Sequence, residues 1–383
     1  MKNVLFIETS TGFGGSAKYL LELLKRIDPL QFNPTVIFSG EGSNIRKIKA
    51  LGIPCERIGL SFPEIKPPIL SYAYQLFWLI FILLPKAFLI WMKIRKHRVK
   101  IVYLNNEILS HIPAILAAKM GNCKIICHNH GLRKLTFLER QLAEDIDWFV
   151  CVSQASYEAI RKNIEKKPAT VVYNGLDMKD YRLEKIKIDQ GFNTLKKTRW
   201  LIGIFGRIVE WKGHTTFIYA AVKVLKKFPH TVFVIIGDDL SPQKFFLNQL
   251  KKEISSLKLD DYFIFTGWRE ETNSLVYGLD VVVHPSILPE PFGLSVIEAM
   301  ALEKAVVASR LGAILEIIND GEDGLLFKSQ DADDLAQKII QLISDDELRR
   351  ILGQRARLKV QNNFTMDRNV KEIQSILEKV TAS

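Results

Sequence analysis

The sequence has few cysteines, and none lie in a spacing that would hold a metal ion or a disulfide framework. Its four cysteines, among 383 residues, include no C-x-x-C pair and no matching set of histidines. Zinc sites and small disulfide-bonded scaffolds need such spacings. We therefore expect Cys55, Cys123, Cys127 and Cys151 to be buried free thiols, and the sequence predicts no metal site.

The amino-terminal residues also show none of the features typical of a secretory leader. Residues 1–7 run directly into an apolar, strand-like segment, without a basic region or a cleavage site of small residues. The composition, 48% hydrophobic and 25% charged, is ordinary for a folded α/β protein and excludes long disordered regions. We expect a cytoplasmic protein.

Acidic residues are missing from one long stretch of the first half. No Asp or Glu lies between Glu64 and Glu107, and residues 67–85 carry no charge at all. Over residues 1–180, 25 Lys and Arg stand against 15 Asp and Glu, so the excess of positive charge lies mainly in this half. The first half is therefore expected to meet an anionic partner.

The uncharged stretch and the basic residues after it predict a helix near 69–92 that lies on an anionic membrane surface. Trp78, Trp91 and the basic residues that follow would anchor it. A buried core helix and a membrane-spanning helix remain alternatives. Nucleic acid is not an expected partner, because stacking aromatics do not alternate with the basic residues and no nucleic-acid-binding motif is present.

Apolar segments with the period of strands alternate with segments of helical period along both halves. Strands are predicted at 4–9, 35–39, 99–105, 124–128, 148–153 and 169–173, and then at 200–205, 231–236, 262–266, 281–284 and 305–309. Such alternation predicts α/β domains with mostly parallel sheets. Ligands of these sheets bind beyond the carboxyl ends of the strands, and a pocket is expected where two such domains face each other.

The pattern divides the chain into four parts. Residues 1–180 form a first Rossmann-like domain, a polar stretch over 181–198 is a linker, and residues 199–362 form a second Rossmann-like domain. Residues 363–383 contain an amphipathic helix, which could pack back on the first domain.

The most informative motif joins two carboxylates through a glycine that opens a helix. Glu290 and Glu298 bound the segment E-P-F-G-L-S-V-I-E, which follows the apolar strand predicted at 281–284. The amides of Gly293 and Leu294 would be unpaired donors at the helix start, suited to sugar hydroxyls or phosphate. A second loop, after the strand at 200–205, carries Arg207 and Lys212, whose charges could neutralise a diphosphate.

In their order along the chain, these motifs resemble those of family 4 of the retaining glycosyltransferases, which have the GT-B fold. The resemblance covers nearly the whole chain. The segments that carry it are Gly12-Phe13-Gly14-Gly15, His128-Asn129-His130-Gly131, Val152-Ser153, Tyr173-Asn174-Gly175-Leu176-Asp177, Gly206-Arg207 with Lys212-Gly213, His284-Pro285-Ser286, residues 290–301, Gly312 with Glu316, and Asp320-Gly321 with Gly324.

The resemblance implies two Rossmann-like domains that face each other across a cleft, with residues 1–180 on the acceptor side and residues 199–362 binding the nucleotide sugar. It implies transfer of a hexose-type sugar, with retention and without metal or cofactor, from a UDP- or GDP-sugar to a lipid-linked glycan acceptor. Such a reaction belongs to the synthesis of cell-envelope polysaccharide or glycolipid, at the inner face of the cell membrane.

The resemblance also assigns roles to individual residues. The catalytic residues would be His130, near the reacting carbon, and Arg207, Lys212 and Glu290, with both cations on the diphosphate and Glu290 on the donor sugar. The remaining donor-binding residues would be Gly14, Gly15, Gly206, Phe292, Gly293, Leu294 and, on the ribose, Glu298. His128 is the rival of His130, with a core histidine at a strand end as its other interpretation.

Two departures from the family pattern lie near the donor site, and they could narrow the choice of donor. Ala313 replaces the usual second glycine after Gly312, and Ala305 stands where proline is common. Neither change removes a charged contact. The loop start over residues 14–17 lacks the acidic residue that usually follows its glycines, so one acidic contact is missing there.

Other interpretations exist for several segments. Residues 12–17 match the dinucleotide fingerprint G-x-G-x-x-A, with Glu41 as a possible ribose ligand, which would suit an NAD-dependent oxidoreductase. A sugar-nucleotide epimerase and a noncatalytic sugar-binding protein are further alternatives. Asp145-Ile146-Asp147 has the form of a metal-binding D-x-D, but we interpret it as a helix-to-strand connection, and Gly237-Asp238-Asp239 as a turn.

Overall fold

The computed structural model describes residues 1–10, 15–40, 42–59 and 79–382 of the chain. The chain divides into two compact units. The first comprises Met1–Asn174 and Met366–Ser383, and the second comprises Gly175–Thr365. Each unit contains one parallel β-sheet with helices on both faces, so the predicted α/β class is confirmed.

The first unit has a seven-stranded sheet in the order β3-β2-β1-β4-β5-β6-β7. Its strands are β1 (Lys2–Glu8), β2 (Phe32–Phe38), β3 (Cys55–Arg57), β4 (Ile101–Asn105), β5 (Lys124–Asn129), β6 (Trp148–Cys151) and β7 (Ala169–Val171). Its helices are α1 (Gly15–Leu24), α2 (Ser43–Ala50), α3 (Leu84–Lys96), α4 (Ile112–Met120), α5 (Phe137–Ala143) and α6 (Gln154–Ile160), with the last helix of the chain, α15 (Met366–Ala382).

Side chains of β1 alternate between two hydrophobic cores. Val4 and Phe6 belong to the core that contains Ile373, whereas Leu5 and Ile7 belong to the core that contains Ile90. Because successive side chains of a strand point to opposite faces, both faces of the sheet need a helical cover. α15 provides part of this cover on one face and α3 on the other.

The last helix binds the first unit through one apolar face. Val370, Ile373, Ile376 and Leu377 are buried in the core that β1 and α1 also line. Within this face the buried Asn369 accepts a hydrogen bond from Tyr19 Oη at 3.1 Å and donates one to the carbonyl of Tyr173 at 2.7 Å. The polar group is therefore satisfied, and its partners fix the position of the helix along the core.

The second unit has a six-stranded sheet in the order β10-β9-β8-β11-β12-β13. Its strands are β8 (Trp200–Phe205), β9 (Thr231–Ile236), β10 (Phe263–Gly267), β11 (Val281–His284), β12 (Ala305–Ser309) and β13 (Leu325–Phe327). Its helices are α7 (Gln190–Leu195), α8 (His214–Lys227), α9 (Phe245–Ser256), α10 (Asn273–Gly278), α11 (Leu294–Ala301), α12 (Ile314–Ile317), α13 (Ala332–Ser344) and α14 (Asp346–Asn363). The strand order reverses between β8 and β11, and ligands of open α/β sheets bind beside such a reversal.

The polar stretch predicted as a linker over 181–198 is part of the second unit in the structure. It contains α7, whose Phe192 is buried and packs with Ile188 against Gly278. Lys196 Nζ also pairs with Asp280 at 2.5 Å. The composition suggested a linker because most residues of this segment are polar, but two buried aromatic side chains, Tyr181 and Phe192, and one ion pair attach it to the second unit.

The helix predicted near 69–92 lies partly outside the described residues. The described part is a π-helical turn over Leu79–Leu83 followed by α3. α3 buries Ala87, Ile90 and Ile94 against the first unit and leaves Leu84, Phe88, Leu89 and Met92 exposed. Among the described helices none has both the length and the apolar character needed to cross a bilayer.

The cysteines are free thiols in the structure. Cys127 and Cys151 are fully buried, whereas Cys55 and Cys123 are partly buried. Burial raises the pKa of the Cys55 and Cys123 thiols to about 11, so neither is a reactive thiolate near neutral pH.

Shortening a buried side chain of α15 should destabilise the first unit. Ile373→Ala removes methyl groups from a fully buried position, and such changes cost about 2–5 kcal/mol of unfolding free energy. Calorimetry should show a lower melting temperature than in the wild type.

Lys371→Ala is the matched control, because Lys371 is exposed on the same helix. Equal melting temperatures for the two variants would contradict the packing of α15 described above.

Candidate functional site

Two loops meet where the strand order of the second unit reverses. The loop after β8 comes so close to the loop after β11 that a Cβ on Gly213 would lie 1.9 Å from the carbonyl oxygen of Pro285. Gly213 also has a φ of +73°, which favours glycine. The amide of Ile287 donates to the carbonyl of Trp211 at 2.8 Å. These contacts hold Lys212 beside the segment 284–290.

The carboxylate of Glu290 gathers three donors on one oxygen. Its Oε1 lies 2.6 Å from Lys212 Nζ, 2.8 Å from His284 Nε2 and 2.5 Å from Ser286 Oγ. His284 Nδ1 lies 3.2 Å from Ser295 Oγ, so the ring can accept from that hydroxyl while it donates to Glu290. Among the described residues no group binds the second oxygen, Oε2, which therefore remains available to a ligand.

Glu290 is 7% exposed and ionised. Burial alone would raise the pKa of its carboxyl, but His284 and Lys212 outweigh burial and hold the pKa well below its ordinary value. A fixed negative charge thus stands beside a fixed positive one. The sequence motifs predicted both residues at a donor site, but they did not predict this ion pair.

Gly293 directly precedes α11 and has a φ of +116°. A Cβ at this position would lie 2.7 Å from Ile314 Cδ1. A Cβ on Gly312 would lie 2.9 Å from the carbonyl oxygen of Glu290. The amide of the next residue, Ala313, donates to the same carbonyl at 3.2 Å. Ala313 therefore provides a backbone contact in the place where a second glycine is usual. Phe292 is buried, and its ring packs edge-on against Phe364 at 5.8 Å.

Arg207 and Gly206 are exposed beyond the carboxyl end of β8. Gly206 has a φ of +138°. A Cβ on Gly237 would lie only 1.9 Å from the carbonyl oxygen of Gly206, so that position has no room for a side chain. The turn is thus built on two glycines. Within the described ranges Arg207 has no ion-pair partner, in contrast to Lys212.

Glu298 lies on α11, one helical turn after the glycine, and is engaged within the second unit. The hydroxyl of Tyr181, a buried residue of the predicted linker, lies near enough to the Glu298 carboxylate to interact with it electrostatically. Burial, with Glu298 nearby, raises the pKa of Tyr181 well above its ordinary value. Arg357 in turn donates to the carbonyl of Tyr181 at 3.0 Å. Tyr181 was not expected at the site, because it lies in a segment without strand or helix periodicity.

In the first unit, His128 and His130 lie at and just beyond the end of β5, with ring centroids 4.2 Å apart. His128 is fully buried and its Nδ1 bonds the Tyr103 hydroxyl at 2.8 Å, as a core histidine would. His130 is partly buried and lines a pocket of about 210 Å³. This environment favours His130 over His128 as the residue that meets substrate.

Glu8 was not predicted at the site, but it is fully buried at the end of β1 in the same unit. Its Oε2 accepts from Asn105 Nδ2 at 2.5 Å, and Asn105 Oδ1 lies 3.0 Å from His130 Nε2. The only clue in the sequence is a charged residue directly after the apolar run of β1. Of the two donor-binding glycines predicted in the first half, Gly15 is the first residue of α1, and Gly14 lies outside the described residues. Glu41, the possible ribose ligand of the oxidoreductase alternative, also lies outside them.

The two acidic segments interpreted as a helix-to-strand connection and as a turn have structural roles. Asp145 pairs with Lys119 at 2.6 Å, and Asp147 accepts from the amide of Ile125 at 2.8 Å, which joins α5 to the sheet. Asp239 accepts from the amides of Phe246 and Leu247 at the start of α9. In the described part of the chain, no cluster of three or more His, Cys, Asp or Glu side chains could hold a metal ion.

Two family models match the chain, one on each half. The model described as "Glycosyltransferase Family 4" matches residues 13–180, and the model described as "Glycosyl transferases group 1" matches residues 185–359. The chain belongs to glycosyltransferase family 4. This membership sets aside the oxidoreductase alternative for residues 12–17 and the epimerase alternative for the chain.

Characterised and uncharacterised members of the family are similar to the chain over different lengths. The lipopolysaccharide core biosynthesis mannosyltransferase LpcC of Rhizobium leguminosarum bv. viciae is 28% identical over 85% of this chain and 89% of its own length. The uncharacterized glycosyltransferase MJ1069 of Methanocaldococcus jannaschii is 29% identical over 61% of this chain, and the match spans only 59% of MJ1069.

Solved structures confirm the GT-B fold of this family member. The glycosyltransferase from Rickettsia africae ESF-5 superposes with a TM-score of 0.85, with 24% identity, over 99% of this chain and 98% of that one. Alr3699/HepE from Anabaena, solved with UDP and glucose, superposes with a TM-score of 0.80 and 22% identity over 99% of this chain and 100% of that one.

Removal of the Lys212 charge should destabilise the second unit in a pH-dependent way. Lys212→Met leaves Glu290 buried with one donor fewer, which should cost about 3 kcal/mol near neutral pH. Because the folded-state pKa of Glu290 lies below the unfolded value of 4.5, this stabilisation is present above pH 4.5 and is lost as the pH falls below it.

Calorimetry between pH 7 and pH 3 measures the difference between the wild type and Lys212→Met. Lys223→Met is the control, since the exposed pair of Lys223 with Asp333 should contribute about 1 kcal/mol or less. A difference that does not shrink toward pH 3 would refute the charge pairing.

Proposed function

We propose that the chain transfers a hexose-type sugar, with retention, from a UDP- or GDP-sugar to a lipid-linked glycan acceptor of the cell envelope. The observation that carries this proposal is the Glu290 carboxylate, which uses Oε1 for three protein donors and leaves Oε2 open. An ionised carboxylate held rigidly in this way is a strong acceptor for the hydroxyls of a donor sugar.

Charge around this carboxylate fits a nucleoside diphosphate. Lys212 is already paired with Glu290, so the positive charge in excess comes from Arg207 at the exposed end of the same loop. Arg207 and Lys212 would bind the diphosphate, with the amides of Gly293 and Leu294 as further donors at the start of α11. Gly206 would let the backbone approach the phosphates, and Glu298, which lies near Tyr181, would accept from the ribose.

The chemical step follows from these roles. The bond between the anomeric carbon and the diphosphate oxygen breaks, and the acceptor oxygen bonds to the same face of that carbon. The acceptor proton passes to the departing phosphate oxygen, and the two cations stabilise the negative charge that develops on this group. They would supply the positive charge without a divalent metal. HepE, whose fold this chain shares, was solved with UDP and glucose, and LpcC is named a mannosyltransferase, which agrees with a hexose donor.

The exposed side of α3 supports a membrane acceptor. Leu84, Phe88 and Met92 follow each other at intervals of four residues, with exposed fractions of 45%, 49% and 39%, and Leu89 extends the row. Arg95 and Lys96 are exposed directly after it. An apolar row that ends in cations matches an anionic lipid surface, where apolar side chains enter the interface and cations meet the headgroups. We propose peripheral attachment at the cytoplasmic face.

Loss of the cations or of the carboxylate should slow transfer. Arg207→Ala and Glu290→Gln should each lower the rate about 100-fold, because each removes an electrostatic contact to the transition state. Release of nucleoside diphosphate from a panel of sugar nucleotides measures the rate and identifies the donor. Chelation of divalent metal with EDTA should leave the rate unchanged.

Lys226→Ala is the matched control for the cation, since Lys226 is exposed near the carboxyl end of α8. Near-normal rates of Arg207→Ala and Glu290→Gln with every donor that the wild type accepts would refute the assigned roles.

Charge on the apolar row should abolish membrane attachment. Phe88→Glu with Leu89→Glu removes two apolar groups from the interface, each worth about 1.5–3 kcal/mol on burial, and adds two negative charges. Co-sedimentation with vesicles of phosphatidylglycerol and phosphatidylcholine should fall at least tenfold.

Leu358→Glu, at a 57% exposed position of the second unit, should bind vesicles as the wild type does. Equal sedimentation of all three proteins would contradict the membrane surface without touching the donor site.

A further inference from the structure

The pocket of the first unit is built from polar groups at the ends of three neighbouring strands. Its lining residues are Thr9, Ser10, Asn106, Glu107, Ser110 and His130. Hydroxyl, amide, imidazole and carboxylate groups line it, and no Lys or Arg is among its described lining residues. Such a lining suits the neutral hydroxyls of a sugar ring and does not suit a phosphate group.

Buried Glu8 organises one wall of this pocket. Its Oε1 accepts from the amide of Ser10 at 2.7 Å and from Asn106 Nδ2 at 3.1 Å, and its Oε2 accepts from Asn105 Nδ2 at 2.5 Å. Asn106 has a φ of +150°, a backbone conformation that costs free energy in residues other than glycine. Glu8 therefore holds a strained residue and a neighbouring amide in fixed positions.

The hydrogen bonds around Asn105 determine which way its amide points. The Nδ2 group lies next to two acceptors, Glu8 Oε2 and the carbonyl of Ser16, the latter at 3.1 Å. Only the NH2 group can donate to both, so Oδ1 must be the atom that lies 3.0 Å from His130 Nε2. Because an amide oxygen only accepts, His130 Nε2 must carry a proton.

The other ring nitrogen of His130 is then unprotonated. Burial lowers the pKa of His130 to about 3, so the ring is neutral near physiological pH and carries a single proton. That proton is on Nε2, which leaves a lone pair on Nδ1. Among the described residues no group donates to Nδ1, while the ring itself borders the pocket.

We propose that Glu8 is a positioning residue: acting through Asn105, it fixes His130 in the tautomer whose Nδ1 accepts a hydrogen bond from a sugar hydroxyl in this pocket. The identity of the ligand as a sugar rests on the proposed function, whereas the tautomer does not. The hydroxyl belongs to the donor sugar or to the acceptor, and the kinetic measurements below distinguish the two.

The tautomer can be read without substrate. In the full chain labelled with ¹⁵N-histidine, long-range proton–nitrogen spectra distinguish a protonated ring nitrogen from one with a lone pair, and the spectrum of His130→Gln identifies the His130 signals. We expect the wild type to carry the proton on Nε2. A proton on Nδ1 in the wild type would overturn the proposal, with no variant needed.

Glu8→Gln tests the positioning role. The Ser10 amide and the Nδ2 groups of Asn105 and Asn106, which the carboxylate binds at both of its oxygens, are all donors, so the NH2 group of a glutamine would face a donor on either side, and the orientation of Asn105 is no longer enforced. We expect a second population of His130 with the proton on Nδ1. Glu107→Gln changes a carboxylate of the same pocket that does not contact Asn105, and its His130 spectrum should match the wild type. An unchanged tautomer of His130 in Glu8→Gln would contradict the positioning role of Glu8.

Kinetics then identify the hydroxyl. Glu8→Gln should lower transfer roughly tenfold or more, as the loss of a buried hydrogen bond does, whereas Glu22→Gln, on the side of α1 that pairs with Lys25 and Arg26, should not. An equal loss in donor hydrolysis without acceptor assigns the hydroxyl to the donor sugar, and a loss confined to transfer assigns it to the acceptor. Wild-type rates for both reactions would overturn the role of Nδ1 even if the tautomer shifts.

Discussion

The ion pair between Lys212 and Glu290 is the contact on which the second unit's site depends. It joins the loop after β8 to the loop after β11, which are adjacent only because the strand order reverses between these strands. Desolvation of two charges is costly, and the pair persists because His284 and Ser286 add hydrogen bonds to the same carboxylate oxygen. The result is a site whose charges are fixed before any ligand arrives, so a ligand does not have to order them.

Because of this pairing, the two cations of the loop present different net charges to a ligand. Lys212 is compensated by Glu290, so together they present a dipole, whereas Arg207 presents a charge that no described residue compensates. An anionic diphosphate is therefore attracted chiefly by Arg207 and then placed by Lys212. Arginine suits the first task, because its guanidinium stays charged at any physiological pH and can bind two phosphate oxygens at once.

Sequence reasoning succeeded where the physical cause is local. β9, β11 and β12 were predicted to the residue, because strands buried on both faces are continuous apolar runs. β2 was predicted from residue 35, after Pro34, because a proline lacks the amide that strand pairing usually needs. In the structure the strand already pairs with β1 from Phe32. β3 was missed, since its three residues, two partly buried and one exposed, are too few to show a period. The motifs around Glu290 and Arg207 were found for a similar reason, because each lies in one short loop.

What the sequence could not supply is the pairing of residues that are distant along the chain. Glu8 and Asn105 are 97 residues apart, and Tyr181 meets Glu298 from a segment that looked like a linker. Neither pair has a pattern of its own, since a single carboxylate after a strand is as often a solvated strand end. The parallel sheet of the first unit creates the contact between Glu8 and Asn105, because it brings the carboxyl ends of β1, β4 and β5 to one edge. Each side chain there is chemically ordinary, and its role arises from neighbours that fix its protonation state and orientation. Polar residues directly after parallel strands should therefore be considered together, as one set, when such a chain is interpreted.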